Sequence, residues 1–175
     1  ITLPAEVKEV LLHNRAVPVN DVFCTIWTKD SKLTFLVGGD GSGKSVTIVD
    51  RLIAKCLSAT YFRCFYGRKI FDTLRISVFA TLCDRIEELG LQDQFHYSRS
   101  DNSSMVIRCF NGNTFHPFGA ANIDKLQSVK DPSDIFCEEL DQFAENDFGV
   151  LMSRLRTPKV FTMVWGAFNT TTVTE

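Results

Sequence analysis

Two hydrophobic patterns alternate along this chain. Short apolar runs lie between stretches in which apolar residues recur every three or four positions. The first pattern is typical of buried strands and the second of amphipathic helices, so together they predict an α/β fold with a largely parallel central sheet. Strands are predicted at 33–37, 61–66, 134–137 and within 159–168. Helices are predicted at 4–15, 44–57, 71–89, 122–129 and 143–155.

A hairpin is predicted where apolar and polar residues alternate on both sides of Asn111-Gly112. Asn-Gly suits the two-residue turn whose backbone twist matches that of the flanking strands. Gly90 follows the predicted third helix as a C-terminal cap. The fold class is therefore α/β, with a parallel sheet flanked by helices and a β-hairpin around Asn111-Gly112.

Composition fits one domain with a substantial core. The chain has 175 residues, of which 45% are hydrophobic and 23% charged. The formal net charge of −2 gives no bulk argument for nucleic-acid binding, so a DNA contact would need a local basic patch. No apolar run approaches the roughly 20 residues of a membrane span, and no signal peptide is visible. The six cysteines form no C-x-x-C pair, and buried reduced thiols are expected.

The segment GGDGSGKS at 38–45 matches G-x-x-x-x-G-K-[ST] and lies between a predicted strand and a predicted helix. Glycines let such a loop turn its N–H groups toward phosphate oxygens, and the following helix adds the positive end of its dipole. A glycine-rich turn with an exposed lysine is the alternative. All eight residues are predicted to bind nucleotide: Gly38, Gly39, Asp40, Gly41, Ser42, Gly43, Lys44 and Ser45.

Two adjacent acids follow the predicted strand at 134–137. Because side chains alternate along a strand, one of Glu138 and Glu139 can face a Mg²⁺ ion held with Ser45 while the other faces an attacking water. Solvated acids at a helix start are the alternative. A base beside a metal acid points to ATP hydrolysis, with Lys44 contacting the β- and γ-phosphates. The expected cofactors are ATP and Mg²⁺.

With these residues in place, the chain resembles the ATPase domain of the large terminase subunit of tailed bacteriophages. Large terminase subunits are DNA-packaging motors. The resemblance spans about residues 33–170 and rests on motifs in a fixed order. These are FLVGGDGSGKS, YGRKIFDTLRISVFATLCDRIEELGL, IRCFNGNTFHPFGAANIDKLQSVKDPSDIFCEEL, the acidic spacing of Glu145-Asn146-Asp147-Phe148, and WGAFNTT.

The resemblance implies a P-loop NTPase of the ASCE type. Glu138 becomes the Walker B metal-side acid, Glu139 the catalytic carboxylate, and Asn169 a residue that senses γ-phosphate or couples hydrolysis to motion. An ordinary polar residue ending a strand is the alternative for Asn169, and Thr170 stands where the family often has proline. We expect residues 1–175 to form one ATPase domain, a fragment without the C-terminal nuclease domain.

Asp40 is the larger departure, since many relatives carry a basic residue there. We expect its carboxylate to point away from the phosphates. An arginine that stabilises the transition state must then come from elsewhere. The candidates are Arg68, ranked first, and Lys125, Lys130, Arg154 and Arg156, from this chain or a neighbouring subunit; surface charge is the alternative for each.

The resemblance implies an ATPase that moves double-stranded DNA into a viral prohead. Its expected partners are DNA, the portal protein, the small terminase subunit and other copies of the chain in a ring. It would work in the host cytoplasm, transiently at the portal vertex, without secretion or a membrane. Another helicase-like P-loop translocase and a nucleotide-binding scaffold that does not hydrolyse ATP are the alternative functions.

Overall fold

The computed structural model describes residues 9–12, 15–18, 21–119 and 131–170. Its strands are β1 (Glu9–Leu12), β2 (Arg15–Pro18), β3 (Leu33–Gly38), β4 (Arg63–Arg68), β5 (Phe95–His96), β6 (Ile107–Cys109), β7 (Thr114–Gly119), β8 (Asp134–Glu138) and β9 (Met163–Asn169). Its α-helices are α1 (Thr25–Thr28), α2 (Lys44–Ser58), α3 (Val78–Glu88) and α4 (Glu145–Arg154). None of these helices is long and apolar enough to cross a membrane.

Seven of the described strands form one sheet in the order β3-β9-β8-β4-β7-β6-β5. The first five are parallel, and β6 and β5 continue the sheet in antiparallel register. Strand β9 lies between β3 and β8, so the strand before the glycine loop and the strand before the paired acids are not direct neighbours. The mostly parallel sheet and the hairpin between β6 and β7, which turns at Gly112 with φ 91°, confirm the predicted fold class.

Helices cover both faces of the sheet. On one side α2 and α3 pack over Tyr66 and Phe136, and on the other α4 packs over Phe65 and Ile135. Alternate residues of one strand thus pack in opposite core layers. Because both faces of β4 and β8 are buried, their sequences are continuous apolar runs. Carboxyl ends of parallel strands meet at one edge, where β3, β8 and β9 end beside one another.

The prediction of a helix at 4–15 is wrong where the structure describes it. Strands β1 and β2 pair antiparallel there, with Val10 opposite Val17 and Leu11 opposite Ala16. A short apolar run suits a strand as well as a helix, and pairing with a second strand decides between them. The predicted helix at 122–129 lies outside the described residues.

The prediction of one helix over 71–89 is wrong in continuity. A 3₁₀ helix, Phe71–Ile76, precedes α3. The helical conformation is interrupted between them at Ser77, which has φ −119° and ψ −105°. Apolar spacing of three to four residues is compatible with both kinds of helix, so the sequence pattern did not reveal the break. The other predicted strands and helices have the correct type and differ only at their ends.

Candidate nucleotide-binding site

The glycine loop joins the carboxyl end of β3 to the first turn of α2. Gly41 and Gly43 have φ of 70° and 83°, a left-handed conformation that glycine adopts without the strain of a side chain. Helix α2 begins at Lys44 directly after Gly43. The N–H groups of this first helical turn have no partner four residues earlier, so they face the loop as donors for an anion.

Lys44 folds back over the loop. Its Nζ atom donates hydrogen bonds to the carbonyl oxygens of Gly38 at 2.8 Å and Gly39 at 2.6 Å, and to Ser42 Oγ at 3.1 Å. The residue is only 7% exposed. The ammonium group is therefore held inside the loop, where the oxygens of a bound phosphate would be stronger acceptors than neutral carbonyls.

A cleft of about 370 Å³ opens beside the loop and brings most of the predicted residues together. Its lining comprises Asp40, Gly41, Ser42, Gly43, Lys44, Ser45, Val46, Arg68, Ser77, Glu138, Glu139, Ala167, Phe168 and Asn169. Gly38 and Gly39 do not line the cleft, and contribute instead the two carbonyls that hold Lys44. Residues far apart in sequence thus converge on one side of the phosphate loop.

The two acids at the end of β8 differ in backbone conformation. Glu138 is the last residue of the strand, whereas Glu139 has φ 53° and ψ 51° and starts the 3₁₀ helix Leu140–Gln142. The prediction that strand alternation separates the two carboxylates is therefore wrong. A left-handed turn separates them, at a cost of about 1–2 kcal/mol for a residue with a side chain. Strain of this kind clusters at functional sites.

Arg68 links the two acids. It ends β4, adjacent to β8 in the sheet, and its guanidinium forms an ion pair with Glu139 and lies 3.5 Å from a Glu138 oxygen. Glu139 also accepts a hydrogen bond from Gln142 at 2.9 Å. Arg68, the preferred candidate for the arginine that stabilises the transition state, thus lies in the cleft. It contacts Glu139, the predicted catalytic acid, of its own chain.

Glu138 lies close to Ser45. Burial raises the pKa of the Glu138 carboxyl, as does the nearby Glu139, while Arg68, a hydrogen bond from Ser45 and the proximity of the Ser77 hydroxyl oppose the shift. A hydroxyl and a carboxylate are hard oxygen donors of the kind that Mg²⁺ prefers. The residue types at this corner of the cleft therefore suit a Mg²⁺ ion shared with phosphate oxygens.

Asp40 and Asn169 are exposed residues that line the cleft and contact each other. The Asn169 side-chain amide donates a 2.6 Å hydrogen bond to Asp40 Oδ1. Beside it, the Thr170 backbone N–H donates to the carbonyl of Gly38 at 3.3 Å. Asp40, the acid in the phosphate loop, is therefore hydrogen-bonded to Asn169, the residue with the predicted coupling role.

Comparison with known proteins identifies the family. A family model described as phage terminase large subunit matches residues 30–175 of the chain. The chain belongs to the phage terminase large subunit family. The PBSX phage terminase large subunit of Bacillus subtilis strain 168 is 36% identical over 126 residues, which are 72% of this chain and 28% of that protein. The resemblance seen in the sequence is confirmed, and the chain spans less than a third of that relative.

Solved structures of two bacteriophage proteins have a similar fold. The large terminase from the thermophilic bacteriophage D6E in complex with ADP has a TM-score of 0.61 and 15% identity, covering 77% of this chain and 33% of that one. The N-terminal domain of the DNA packaging ATPase from bacteriophage phi29 has a TM-score of 0.59 and 13% identity, covering 85% of this chain and 79% of that one. At these identities the likeness supports the P-loop fold.

Two of the other basic candidates, Arg154 and Arg156, lie within the described residues. Arg154 and Arg156 are not among the residues that line the cleft, and Lys125 and Lys130 fall outside the described residues. In the acidic segment that opens α4, Asp147 forms an ion pair with Lys69 at 2.6 Å. That segment therefore attaches α4 to the end of β4, next to Arg68.

Ser77 is a residue of the cleft that the sequence reasoning missed. Its hydroxyl is buried and makes no well-aligned hydrogen bond within the described part of the chain, although it lies close enough to Glu138 to lower the pKa of that carboxyl. A serine at the start of a helix normally caps it, but Ser77 provides no side-chain cap for α3. The break between the 3₁₀ helix and α3, which the sequence did not reveal, places this hydroxyl in the cleft.

Proposed function

We propose that this chain binds and hydrolyses Mg²⁺-ATP and is the motor part of a phage DNA-packaging machine. The carrying observation is the convergence, in one cleft, of a phosphate loop, paired acids at the end of β8, and an arginine from β4. Membership of the terminase large subunit family supports the same function. ATP is the substrate, and translocation of double-stranded DNA is the work it drives.

The loop binds the phosphates of ATP. Backbone N–H groups between Gly41 and Ser45 point to the phosphate oxygens, and Lys44 exchanges its carbonyl partners for the β- and γ-phosphates. An ionised phosphate oxygen is a stronger acceptor for the ammonium group than a neutral carbonyl oxygen, which favours that exchange.

Ser45 and Glu138 are the residues that would hold Mg²⁺. When bound, the ion neutralises charge on the β- and γ-phosphate oxygens. The Glu138 carboxylate takes part as an anion, and the neighbouring Arg68 helps to keep it ionised in its buried position.

Glu139 orients the attacking water and accepts its proton as the water oxygen bonds to the γ-phosphorus and the bond to ADP breaks. Its left-handed backbone sets the carboxylate apart from the metal-side acid. Arg68 already contacts that carboxylate, so it is placed to hold Glu139 and to offer positive charge to the phosphoryl group. This assigns to Arg68 of the same chain the charge that Asp40 does not supply.

The family relation also supports a set of partners for this protein. By family resemblance its partners are double-stranded DNA, the portal protein, the small terminase subunit and further copies of the chain in a ring, with Mg²⁺ as the metal. We also propose that the protein works in the host cytoplasm, transiently at the portal vertex of the prohead, a location that the family resemblance supports. The family relation favours a packaging motor over a helicase-like remodeller.

Glu139→Gln tests this function because it preserves shape and removes the base. We expect ATP turnover to fall by about 10²-fold or more, while Mg²⁺-ATPγS binding changes only a few-fold. Asp141→Asn is the matched control, since Asp141 is exposed, lies two residues away and does not line the cleft.

Unchanged turnover in Glu139→Gln would contradict hydrolysis by this site, and nucleotide binding without turnover in the wild type would favour an assembly scaffold. Stimulation of turnover by double-stranded but not single-stranded DNA distinguishes the packaging motor from a helicase-like enzyme.

A further inference from the structure

We propose that Asp40 is a positioning residue for Asn169, and that their hydrogen bond links the phosphate loop to the end of β9. This inference rests on the proposed function, in which the loop binds ATP. It gives Asp40 a role that depends on its being an acid, although an acid in a phosphate loop at first appears unfavourable.

The link joins residues 129 positions apart in sequence. Strands β3 and β9 are parallel neighbours, with Gly38 in register with Asn169. The Asp40–Asn169 hydrogen bond at 2.6 Å and the Thr170-to-Gly38 bond at 3.3 Å both extend the pairing beyond the strand ends. The loop is therefore attached to the segment that leaves β9 as well as to the helix that follows it.

The chemistry of the pair fixes the orientation of the amide. An asparagine side chain has two N–H donors and one acceptor oxygen, whereas an ionised carboxylate only accepts. Asp40 therefore selects the NH₂ end of Asn169 for the loop side. A neutral or basic loop residue does not present a group that only accepts hydrogen bonds, so it would not select the NH₂ end of Asn169 in this way.

The same contact reduces the cost of placing an acid in the loop. The donated N–H partly satisfies the carboxylate, so less of its charge opposes incoming phosphate. Lys44, also in the loop, keeps its positive charge close to the phosphate site. The competing explanation is that the carboxylate simply repels phosphate and that its contact with Asn169 has no consequence.

A double-mutant cycle separates these explanations. Asp40→Ala, Asn169→Ala and the double variant are compared in the full chain for Mg²⁺-ATPγS affinity and for ATP turnover with and without double-stranded DNA. Asp40→Asn keeps an acceptor oxygen of the same shape, and Asp101→Ala removes an exposed acid outside the cleft as a control.

If Asp40 acts through Asn169, each single variant lowers DNA-stimulated turnover by about fivefold and the double variant is no worse than the worse single one, to within about twofold. Asp40→Asn recovers part of the loss, and Asp101→Ala behaves as wild type. Melting temperatures of all variants exclude a general loss of folding.

Two results would overturn the proposal. In one, the effects of the single variants multiply in the double variant. In the other, Asp40→Ala raises Mg²⁺-ATPγS affinity more than tenfold whether residue 169 is asparagine or alanine. The first result requires a wild type that hydrolyses ATP, and the second requires one that binds Mg²⁺-ATPγS. Both are therefore distinguishable from failure of the proposed function, in which the wild type shows no Mg²⁺-dependent turnover.

Discussion

Strand β8 carries an acid at each end, and the two ends differ in how those acids are held. Asp134 begins the strand and is fully buried, whereas the side chain of Glu138, four residues later on the same face, is 15% exposed. Asp134 accepts hydrogen bonds from Lys55 at 2.8 and 3.0 Å, Ser133 at 2.7 Å and Trp165 at 3.1 Å. Glu138 shares Arg68 with its neighbour Glu139.

The difference teaches what each end contributes. The donors to Asp134 come from α2, β9 and the residue before β8, so its carboxylate holds three parts of the fold in one arrangement. At the other end the charged groups share partners that a phosphate, a metal ion or water can replace. A buried carboxylate whose hydrogen-bonding capacity is filled stabilises the fold. Contacts in a cleft that a ligand can replace suit binding and catalysis.

The largest expected effect is on stability, at the Asp134 end. Asp134→Ala removes the acceptor of three donors and leaves the Lys55 ammonium, on a side chain only 16% exposed, without its partner. We expect the free energy of unfolding to fall by about 3–5 kcal/mol, as for other broken buried ion pairs. Equilibrium unfolding in urea at pH 7 measures this change.

Glu138→Ala is the matched control for that experiment, since it removes an acid from the same face of the same strand. We expect its effect on the unfolding free energy to stay within about 1 kcal/mol, because Arg68 keeps Glu139 as a partner. Adding Lys55→Met to Asp134→Ala restores part of the loss by removing the unpaired ammonium. If the two alanine variants lose equal amounts of unfolding free energy, the proposed difference between the two ends of β8 is wrong.

The sequence indicated candidate residues at the carboxyl end of β8 but none at its buried beginning. The phosphate loop is a local motif whose spacing carries its chemistry, and Glu138 and Glu139 stand beside each other at a strand end. Nothing near Asp134 distinguishes it from a solvated acid before a strand, because its partner Lys55 is 79 residues away. Contacts of that range depend on the packing of α2 on the sheet, which no short pattern encodes.

The pairings inside the cleft were likewise beyond the sequence. It predicted that Arg68 and Asn169 matter, but not that Arg68 contacts both acids or that Asn169 donates to Asp40. Ser77 escaped notice because helical spacing continues through the break at that residue. Motif residues are thus predictable one by one, whereas their partners require the register of β4, β8 and β9.

The next effect in size is catalytic and concerns Arg68, the residue that both acids share. We expect Arg68→Ala to lower ATP turnover by about 10²-fold, the scale of losing one electrostatic contact to a transition state. Arg68→Lys should give an intermediate rate, because lysine keeps the charge without the forked geometry. Arg108→Ala is the control, since Arg108 is exposed and outside the cleft.

Mixing variants tests whether Arg68 serves its own cleft. Equal amounts of Arg68→Ala and Glu139→Gln proteins are combined, and turnover is measured over a range of protein concentrations. If Arg68 acts within its own chain, the mixture gives no more than the average of the two rates. A mixture faster than that average would mean that a subunit with Arg68 completes the cleft of its neighbour, and the assignment made here would be wrong.

The smallest expected effect is the pH dependence of stability at the Glu138 end. Burial raises the pKa of the Glu138 carboxyl above its value of 4.5 in an unfolded chain. The folded state then holds the proton more tightly than the unfolded state does, so ionisation of Glu138 costs stability at pH values above its folded pKa. That cost disappears as the pH falls below 4.5.

Glu138→Gln removes the cost, so the variant should melt above the wild type at pH 7–8, with the difference shrinking toward pH 4. Asp147→Asn is the opposite case. The hydrogen bond from Lys69 lowers the pKa of Asp147 below 3.8, so its stabilising effect is present at neutral pH and is lost in acid. That variant should melt below the wild type at pH 7, with the gap closing as the pH falls. Melting curves from pH 2 to 8, without nucleotide or Mg²⁺, measure both. If Glu138→Gln instead melts below the wild type at neutral pH, then the ion pair with Arg68 outweighs burial, and the two ends of β8 are held by the same kind of force.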